Sequence, residues 1–243
     1  MKRRFRNRRE AGELLALELS HLAGKPDCVI LALPRGGVPV GYELSCILHA
    51  PLDVLIVRKL GVPGQEELAM GAIATGGVRI LNESVLSALG IDREAIASIE
   101  SRELAELRRR EQIYRGDRLP LEITGKTVIL VDDGIATGAS VLAAIEAVRR
   151  RGAARIIVAS PVAPPSVAEV LRRHADEVHC VLTPEDFGGV GWWYDDFSQT
   201  QDEEVRSLLE AANPVVKAIG PGEPEPLFLR PMSGISPFTR HES

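Results

Sequence analysis

Aromatic residues are scarce in this chain, 4% of 243 residues, so any block that gathers several of them needs a reason. There are three cysteines, Cys28, Cys46 and Cys180, without C-x-x-C spacing, which excludes a disulfide framework and a cysteine zinc site and suits a reducing compartment. The five histidines form no H-x-x-x-H pair, so neither a histidine metal site nor a histidine-activated nucleophile finds support, and no G-x-S-x-G elbow occurs. No apolar run approaches the roughly 20 residues that span a bilayer, and no apolar signal core follows the basic start; a soluble, cytoplasmic protein is expected. A basic surplus is lacking too: the formal net charge of -5 argues against nucleic-acid binding over the whole surface. The run KRRFRNRR at residues 2–9 reads as a solvated arm ahead of a helix.

What is present is an ordinary globular composition, 45% hydrophobic, enough for one large α/β domain. Residues 10–23 carry leucines at helical spacings and close at Gly24. Cys28 to Leu33 reads as a buried strand, 37–49 as a helix and Leu52 to Val57 as a second strand, steps short enough to imply parallel pairing. Residues 69–74 and 77–81 flank Thr75-Gly76 as a hairpin. Asp92 to about Arg115 is a long amphipathic helix that packs across the domain or against a second subunit, so a homodimer is one expectation. Residues 128–131, 155–159 and 177–182 are the remaining strands, with helices running to Arg151 and starting at Pro164-Pro165. The alternation predicts an open, mostly parallel sheet flanked by helices, with an inserted hairpin. A domain over 1–212 is expected, followed by a Pro/Gly-rich tail over 213–243 that holds six prolines and no periodic core.

The most specific local pattern is residues 128–140, VILVDDGIATGAS. Val128 to Val131 is an apolar run of the kind buried on both faces of a sheet, so the residues after it are delivered to the strand's end. There Asp132 and Asp133 offer acceptors for hydroxyl groups or for the water shell of a cation. Gly134, Ala136, Gly138 and Ala139 leave room for a ligand at the backbone. Thr137 and Ser140 set hydroxyls beside the N–H groups of a starting helix, which together with the helix dipole favour phosphate. The combination reads as a site for a phosphorylated sugar; a Walker A ending and a G-x-G-x-x-G fingerprint are both missing.

A second loop, LPRGGVPVG at 33–41, also joins a strand to a helix: Gly36 and Gly37 admit an anion and Arg35 adds a cation. Arg58 and Lys59 follow the second strand at its carboxyl edge, where open α/β sheets bind ligands, and read as facing one crevice. Residues 60–68, LGVPGQEEL, read as a loop able to close over that crevice, with Glu66 and Glu67 solvated. His179 reads as a core residue of a buried strand. The rings are gathered at 187–197, FGGVGWWYDDF, where Phe187, Trp192 or Trp193 suits stacking on a base, an interaction of about 1–3 kcal/mol per base. Sealing of a small subdomain is the other reading, above all for Phe197 and one tryptophan.

Residues 128–140 resemble the PRPP-binding signature of the type I phosphoribosyltransferases, two acids before a T-G-x-[ST] loop, and LPRGGVPVG looks like their pyrophosphate loop. The chain is similar to a bacterial branch of that family marked by F-x-[ND]-R, L-P-R-G-G-V-P-V and a late W-Y-x-D-F-S-Q. The resemblance implies a parallel core with a small hood, and transfer of the 5-phosphoribosyl group of PRPP to a nitrogenous acceptor of the nucleobase kind, with release of pyrophosphate. It implies Thr137, Gly138, Ala139 and Ser140 at the 5′-phosphate, and Asp132 and Asp133 at the ribose hydroxyls and at Mg²⁺. Arg35, Gly36, Gly37, Arg58 and Lys59 fall at the pyrophosphate, whose oxygens Mg²⁺ would bridge, and Trp193 falls at the base. Lys59 joins the two acids as the catalytic set. Two other readings stay open: a PRPP-sensing regulator that contacts a partner or nucleic acid, and an enzyme with a non-base acceptor.

Overall fold

The structure is a computed structural model and describes residues 4–213; the Pro/Gly-rich stretch beyond Asn213 and the side chains of Glu66 and Glu67 lie outside the described residues. The chain opens with α1 (Arg8–Glu18), β1 (Cys28–Ala32), α2 (Gly37–Leu48) and β2 (Leu52–Val54). Three strands then follow one another, β3 (Val57–Val62), β4 (Gln65–Ala74) and β5 (Val78–Leu81), and two helices, α3 (Glu83–Leu89) and α4 (Arg93–Arg115). The last part is β6 (Thr127–Val131), α5 (Ala139–Arg150), β7 (Arg155–Val162), α6 (Pro165–Arg172), β8 (Glu177–Leu182) and α7 (Asp202–Ala212).

Five strands form one parallel sheet in the order β2-β1-β6-β7-β8, as the alternation predicts. The unbroken apolar runs of its central strands have a plain cause. Ile30, Ile129, Val131 and Ile157 point into one core with α1, α2, α4 and α7, while Val29, Leu31, Val128, Leu130 and Val158 point into a second core with α5 and α6. Strand side chains alternate between faces, so a sheet covered on both sides needs apolar residues at every position. Each fully buried Val, Leu or Ile contributes about 1.5–3 kcal/mol relative to exposure. β8, at the edge, is only half-buried along its length. His179 sits there with Nε2 2.8 Å from Glu177, so it belongs to an edge strand and not to the core expected for it.

Two strand readings change. Leu52 to Val57 is not one strand, because the chain leaves the sheet after Val54 and re-enters a different one at Val57. Leu55 and Ile56 are buried in the joint, which kept the apolar run continuous. The joint is fastened by buried Thr75, whose hydroxyl accepts the Ile56 N–H at 3.0 Å and whose own N–H donates to the Ile56 carbonyl at 2.9 Å. Residues 60–68 are likewise no loop: β3 and β4 pair antiparallel around Pro63-Gly64, with Gly64 at φ 74°, and β5 completes a three-stranded sheet. The expected hairpin at Thr75-Gly76 is therefore its second turn.

The long helix α4 begins just after Asp92, its N-cap, close to where it was expected, and packs on β3, β4 and α7, so it crosses the domain. Helix α7 is absent from the sequence reading because it buries only Val205 and Leu209, too few residues to make a periodic signal. Its first turn holds Asp202, Glu203 and Glu204, favourable charges at a helix N-terminus. Among the described residues no helix is long and apolar enough to cross a membrane.

Candidate active site

Because β1 and β6 pair in parallel, Ala32 against Val131, the loops that follow them leave the sheet side by side. A hydrogen bond from the Leu33 N–H to the Val131 carbonyl, 2.8 Å, carries the pairing one residue further. The Arg35-Gly36-Gly37 loop then crosses the end of β6 too closely for side chains. A Cβ on Gly37 would stand 2.7 Å from the Val131 carbonyl oxygen, and one on Gly36 would fall inside the Asp133 carboxylate. The backbone at Gly36 has φ -60°, which any residue adopts, so proximity alone explains the glycine.

The two acids sit in different surroundings. The Asp132 carboxylate accepts the Asp133 N–H at 2.9 Å. Burial, and after it the Asp133 charge, push the Asp132 carboxyl well above the usual carboxylate range. A carboxylate disfavoured in this way gains from a nearby cation or a donated hydroxyl hydrogen. Asp133 is clasped from outside: Arg8 Nε donates to its Oδ2 at 2.7 Å, and the Tyr194 hydroxyl donates to its carbonyl oxygen at 2.5 Å.

The next loop prepares the start of α5. Ile135 is buried and its N–H donates to the Val162 carbonyl at 2.9 Å, which ties the loop to the end of β7. Gly134 lies against the Val190 side chain, where a Cβ would collide. Ala136 and Thr137 are exposed, and Gly138, at φ 78°, caps the helix. Ala139 and Ser140 are exposed in the first turn, where helical N–H groups have no partner within the helix. The arrangement can hold an anion.

Lys59 and Arg58 are neighbours in β3, so the strand sends them to opposite faces and the single crevice expected for both does not form. Arg58 turns to α4 and donates to Glu103 through Nε at 2.9 Å. Lys59 lines a cavity of about 600 Å³ between the three-stranded sheet and α5, with Val57, Asn82, Ser140, Leu142 and Glu146. The expected residues thus fall in two adjoining places. Arg35, Gly36, Gly37, Asp132 and Asp133 gather at the ends of β1 and β6, Lys59 faces α5, and the 134–140 loop joins the two.

The aromatic block is mostly a seal. Trp193 is 6% exposed, packs with Phe5, Val162 and Tyr194, and donates Nε1 to the Phe187 carbonyl at 2.9 Å. Its ring is largely covered, which suits the seal better than the stacking role expected for it, and Trp192 is the exposed tryptophan. The rings beside the acids are Tyr194 and Phe197, 5.0 Å apart between centroids. Sequence reasoning gave no site role to Arg8, Tyr194 or Asp202. Asp202 takes the Tyr114 hydroxyl at 2.8 Å and lies 3.7 Å from the Arg35 guanidinium, so α7 steadies the second loop. The one signal for Arg8 and Tyr194 was their membership of the F-x-N-R and W-Y-x-D-F-S-Q runs.

Comparison with known proteins agrees with the geometry. The profile of the phosphoribosyl transferase domain matches residues 6–195. Two Mycobacterium tuberculosis proteins, Rv0571c and MT0597, provisionally named phosphoribosyl transferases, are 46% identical over 209 residues, which is 86% of this chain and 47% of theirs. The chain thus spans about half the length of these curated relatives. The crystal structure of TT1426 from Thermus thermophilus superposes with a TM-score of 0.76 at 43% identity, over 85% of this chain and 97% of that one. A 47-residue stretch, 19% of this chain and 26% of the other, is 51% identical to the bifunctional protein PyrR of Brevibacillus brevis. With a domain match over most of its length and a near-complete structural counterpart, the chain belongs to the phosphoribosyl transferase family.

Proposed function

We propose that the protein transfers the 5-phosphoribosyl group of PRPP to a nitrogenous acceptor of the nucleobase kind and releases pyrophosphate. The observation that carries this reading is the contact of the Gly36 backbone with the Asp133 carboxylate, which brings an acidic pair and two anion-binding loops to one sheet edge. In this reading the 5′-phosphate sits on the backbone of Thr137 to Ser140, and the ribose hydroxyls donate to Asp132 and Asp133. The pyrophosphate lies along Arg35, Gly36 and Gly37, with Lys59 reaching from the three-stranded sheet. Arg58 serves its ion pair with Glu103.

Departure of pyrophosphate leaves an oxocarbenium-like ribose, as in sugar transfer generally. Arg35 and Lys59 stabilise the leaving anion, while the acids favour the cationic ring. The grip on the 5′-phosphate is remote from C1, so its binding energy positions the reacting carbon. Two adjacent carboxylates suit Mg²⁺ bound largely by water and substrate phosphates, a cation that takes one or two carboxylates from the protein. When bound beside Asp132 and Asp133, it would supply charge neutralisation at the pyrophosphate.

The test is pyrophosphate release from PRPP and Mg²⁺ with purines, pyrimidines and small amines as acceptors, with the double variant Asp132→Asn/Asp133→Asn as control. Acceptor-dependent release, lost in the control, is expected. Silence over the whole panel, with PRPP binding intact, would turn the reading towards a PRPP-binding regulator. Asp133→Asn alone is expected to lower turnover or PRPP affinity at least tenfold, a loss of about 1.4 kcal/mol. A smaller effect is expected for Asp202→Asn, which keeps an acceptor for Tyr114 and removes the charge facing Arg35. That pair is partly exposed and worth about 0.2–1 kcal/mol, so the Kd for PRPP by calorimetry should rise about 1.4- to 5-fold.

A further inference from the structure

The F-x-N-R run at the start of the chain has no part in the reaction outlined above, yet each of its defined residues has a task. Phe5 lies in a parallel bridge with Tyr194, their rings 5.3 Å apart, and its N–H donates to the Trp193 carbonyl at 2.8 Å. Asn7 caps α1, its side-chain oxygen accepting the Glu10 N–H at 3.0 Å. Arg8, the first residue of the helix, is thereby aimed at the sheet edge. Its Nε donates to Asp133 Oδ2 at 2.7 Å, one terminal nitrogen donates to the Ser198 carbonyl at 2.7 Å, and its Cζ lies over the Phe197 ring, 4.1 Å from the centroid.

We propose that Arg8 is a positioning residue for Asp133, which makes the N-terminal hook and the 193–198 segment working parts of the site. The inference rests on the phosphoribosyltransferase reading. Both partners are nearly out of solvent, their side chains 12% and 13% exposed. A buried ion pair adds little net stability over apolar packing, so fold stability alone is a weak reason for one here. Position is a better reason. Held by Arg8 through one oxygen, pressed against Gly36 and set beside the Asp132 side chain, the Asp133 carboxylate has a fixed direction in which to meet a ribose hydroxyl. An acceptor fixed before the ligand arrives need not be ordered on binding. Arg8 itself is fixed on three sides, a task that suits a planar guanidinium and not a lysine ammonium.

The experiment is calorimetric titration of PRPP with Mg²⁺ into the full chain carrying Arg8→Ala, Arg8→Lys, Phe197→Leu, Asp133→Asn or Arg8→Ala/Asp133→Asn, with melting curves alongside. We expect Arg8→Ala to raise the Kd about tenfold, Arg8→Lys to recover only part of that, and Phe197→Leu to raise it a few-fold with the charge intact. In the Asp133→Asn background Arg8→Ala should change the Kd less than twofold, since its partner is already altered; a merely structural role would give additive effects. If Arg8→Ala fails to fold, the Arg8→Lys and Phe197→Leu titrations carry the test. A wild-type chain that does not bind PRPP overturns the transferase reading and this inference with it. A wild-type chain that binds, with Arg8 and Phe197 variants that bind equally well or effects that add, overturns the inference alone.

Discussion

Gly36→Ala should lose most of its affinity for PRPP while keeping its fold. The methyl group would enter the space of the Asp133 carboxylate, which is held from the other side by Arg8. Either the carboxylate leaves its place or the loop lifts from the end of β6, and each outcome separates groups that the proposed ligand must touch together. Overpacking of this kind costs about 1–3 kcal/mol, which is about 5- to 150-fold in Kd if it falls on ligand binding. Backbone strain does not enter, because φ at this position is -60°. A useful contrast is Gly24→Ala, at φ 70° with nothing within 4 Å of the new Cβ, where any loss is one of stability. Calorimetry with PRPP and a melting curve for each variant separate the two effects. An unchanged affinity in Gly36→Ala would detach the 33–41 loop from the ligand.

Arg115→Ala should be the most destabilising single change at a polar residue of the domain, by about 3–5 kcal/mol. Arg115 ends α4 almost wholly buried, and its Nε donates to both oxygens of Asp53 on β2, at 2.8 and 3.0 Å. A terminal nitrogen of the same guanidinium donates to the Val54 carbonyl at 2.5 Å. The same carboxylate takes the N–H groups of Val54 and Leu121, at 2.7 and 3.1 Å. Without the guanidinium, Asp53 is a buried anion that has lost its hydrogen-bonded cation at the point where the chain leaves the main sheet, with the charge of Arg151 left as partial compensation. At about 2–4 °C per kcal/mol for a domain of this size, the melting midpoint should fall by about 6–20 °C. A fall under about 3 °C would mean that water reaches Asp53 readily. The double variant Arg115→Met/Asp53→Leu should recover part of the loss, since it removes both charges of the pair and leaves backbone groups and the partly exposed Glu111 carboxylate to be satisfied.

The parts of this molecule that were legible in its sequence are those where one local rule decides the structure. Val128 to Val131 read as a strand because both of its faces are covered, and Asp92 to Arg115 read as a helix because its apolar stripe is long. Strand, acids, glycines and hydroxyls stand consecutively in 128–140, so the proposed phosphate loop could be read residue by residue. What failed depended on long-range packing. Leu55 and Ile56 are apolar because a joint buries them, and that joint is fastened by Thr75, about twenty residues on. Once 57–62 is known to be a strand, the separation of Arg58 from Lys59 follows from alternation alone. Trp193 is indistinguishable from Trp192 in the sequence, and only the contact of 187–194 with Phe5 decides which ring is inside. Arg8 meets Asp133 across 125 residues, a distance over which no local pattern speaks.

The bridge between Phe5 and Tyr194 joins stretches near opposite limits of the matched domain, so it has consequences for the order of assembly. Contacts across so many residues carry the largest loop-closure entropy, and the central strands have nearer partners to nucleate on. A growing chain would hold its sheet and its 134–140 loop before residues 193–198 are available to receive the N-terminal hook. The capacity to bind ligand would then arrive last, with the closing of a clasp, and a ligand that needs the clasp would stabilise the finished domain over every earlier form by mass action.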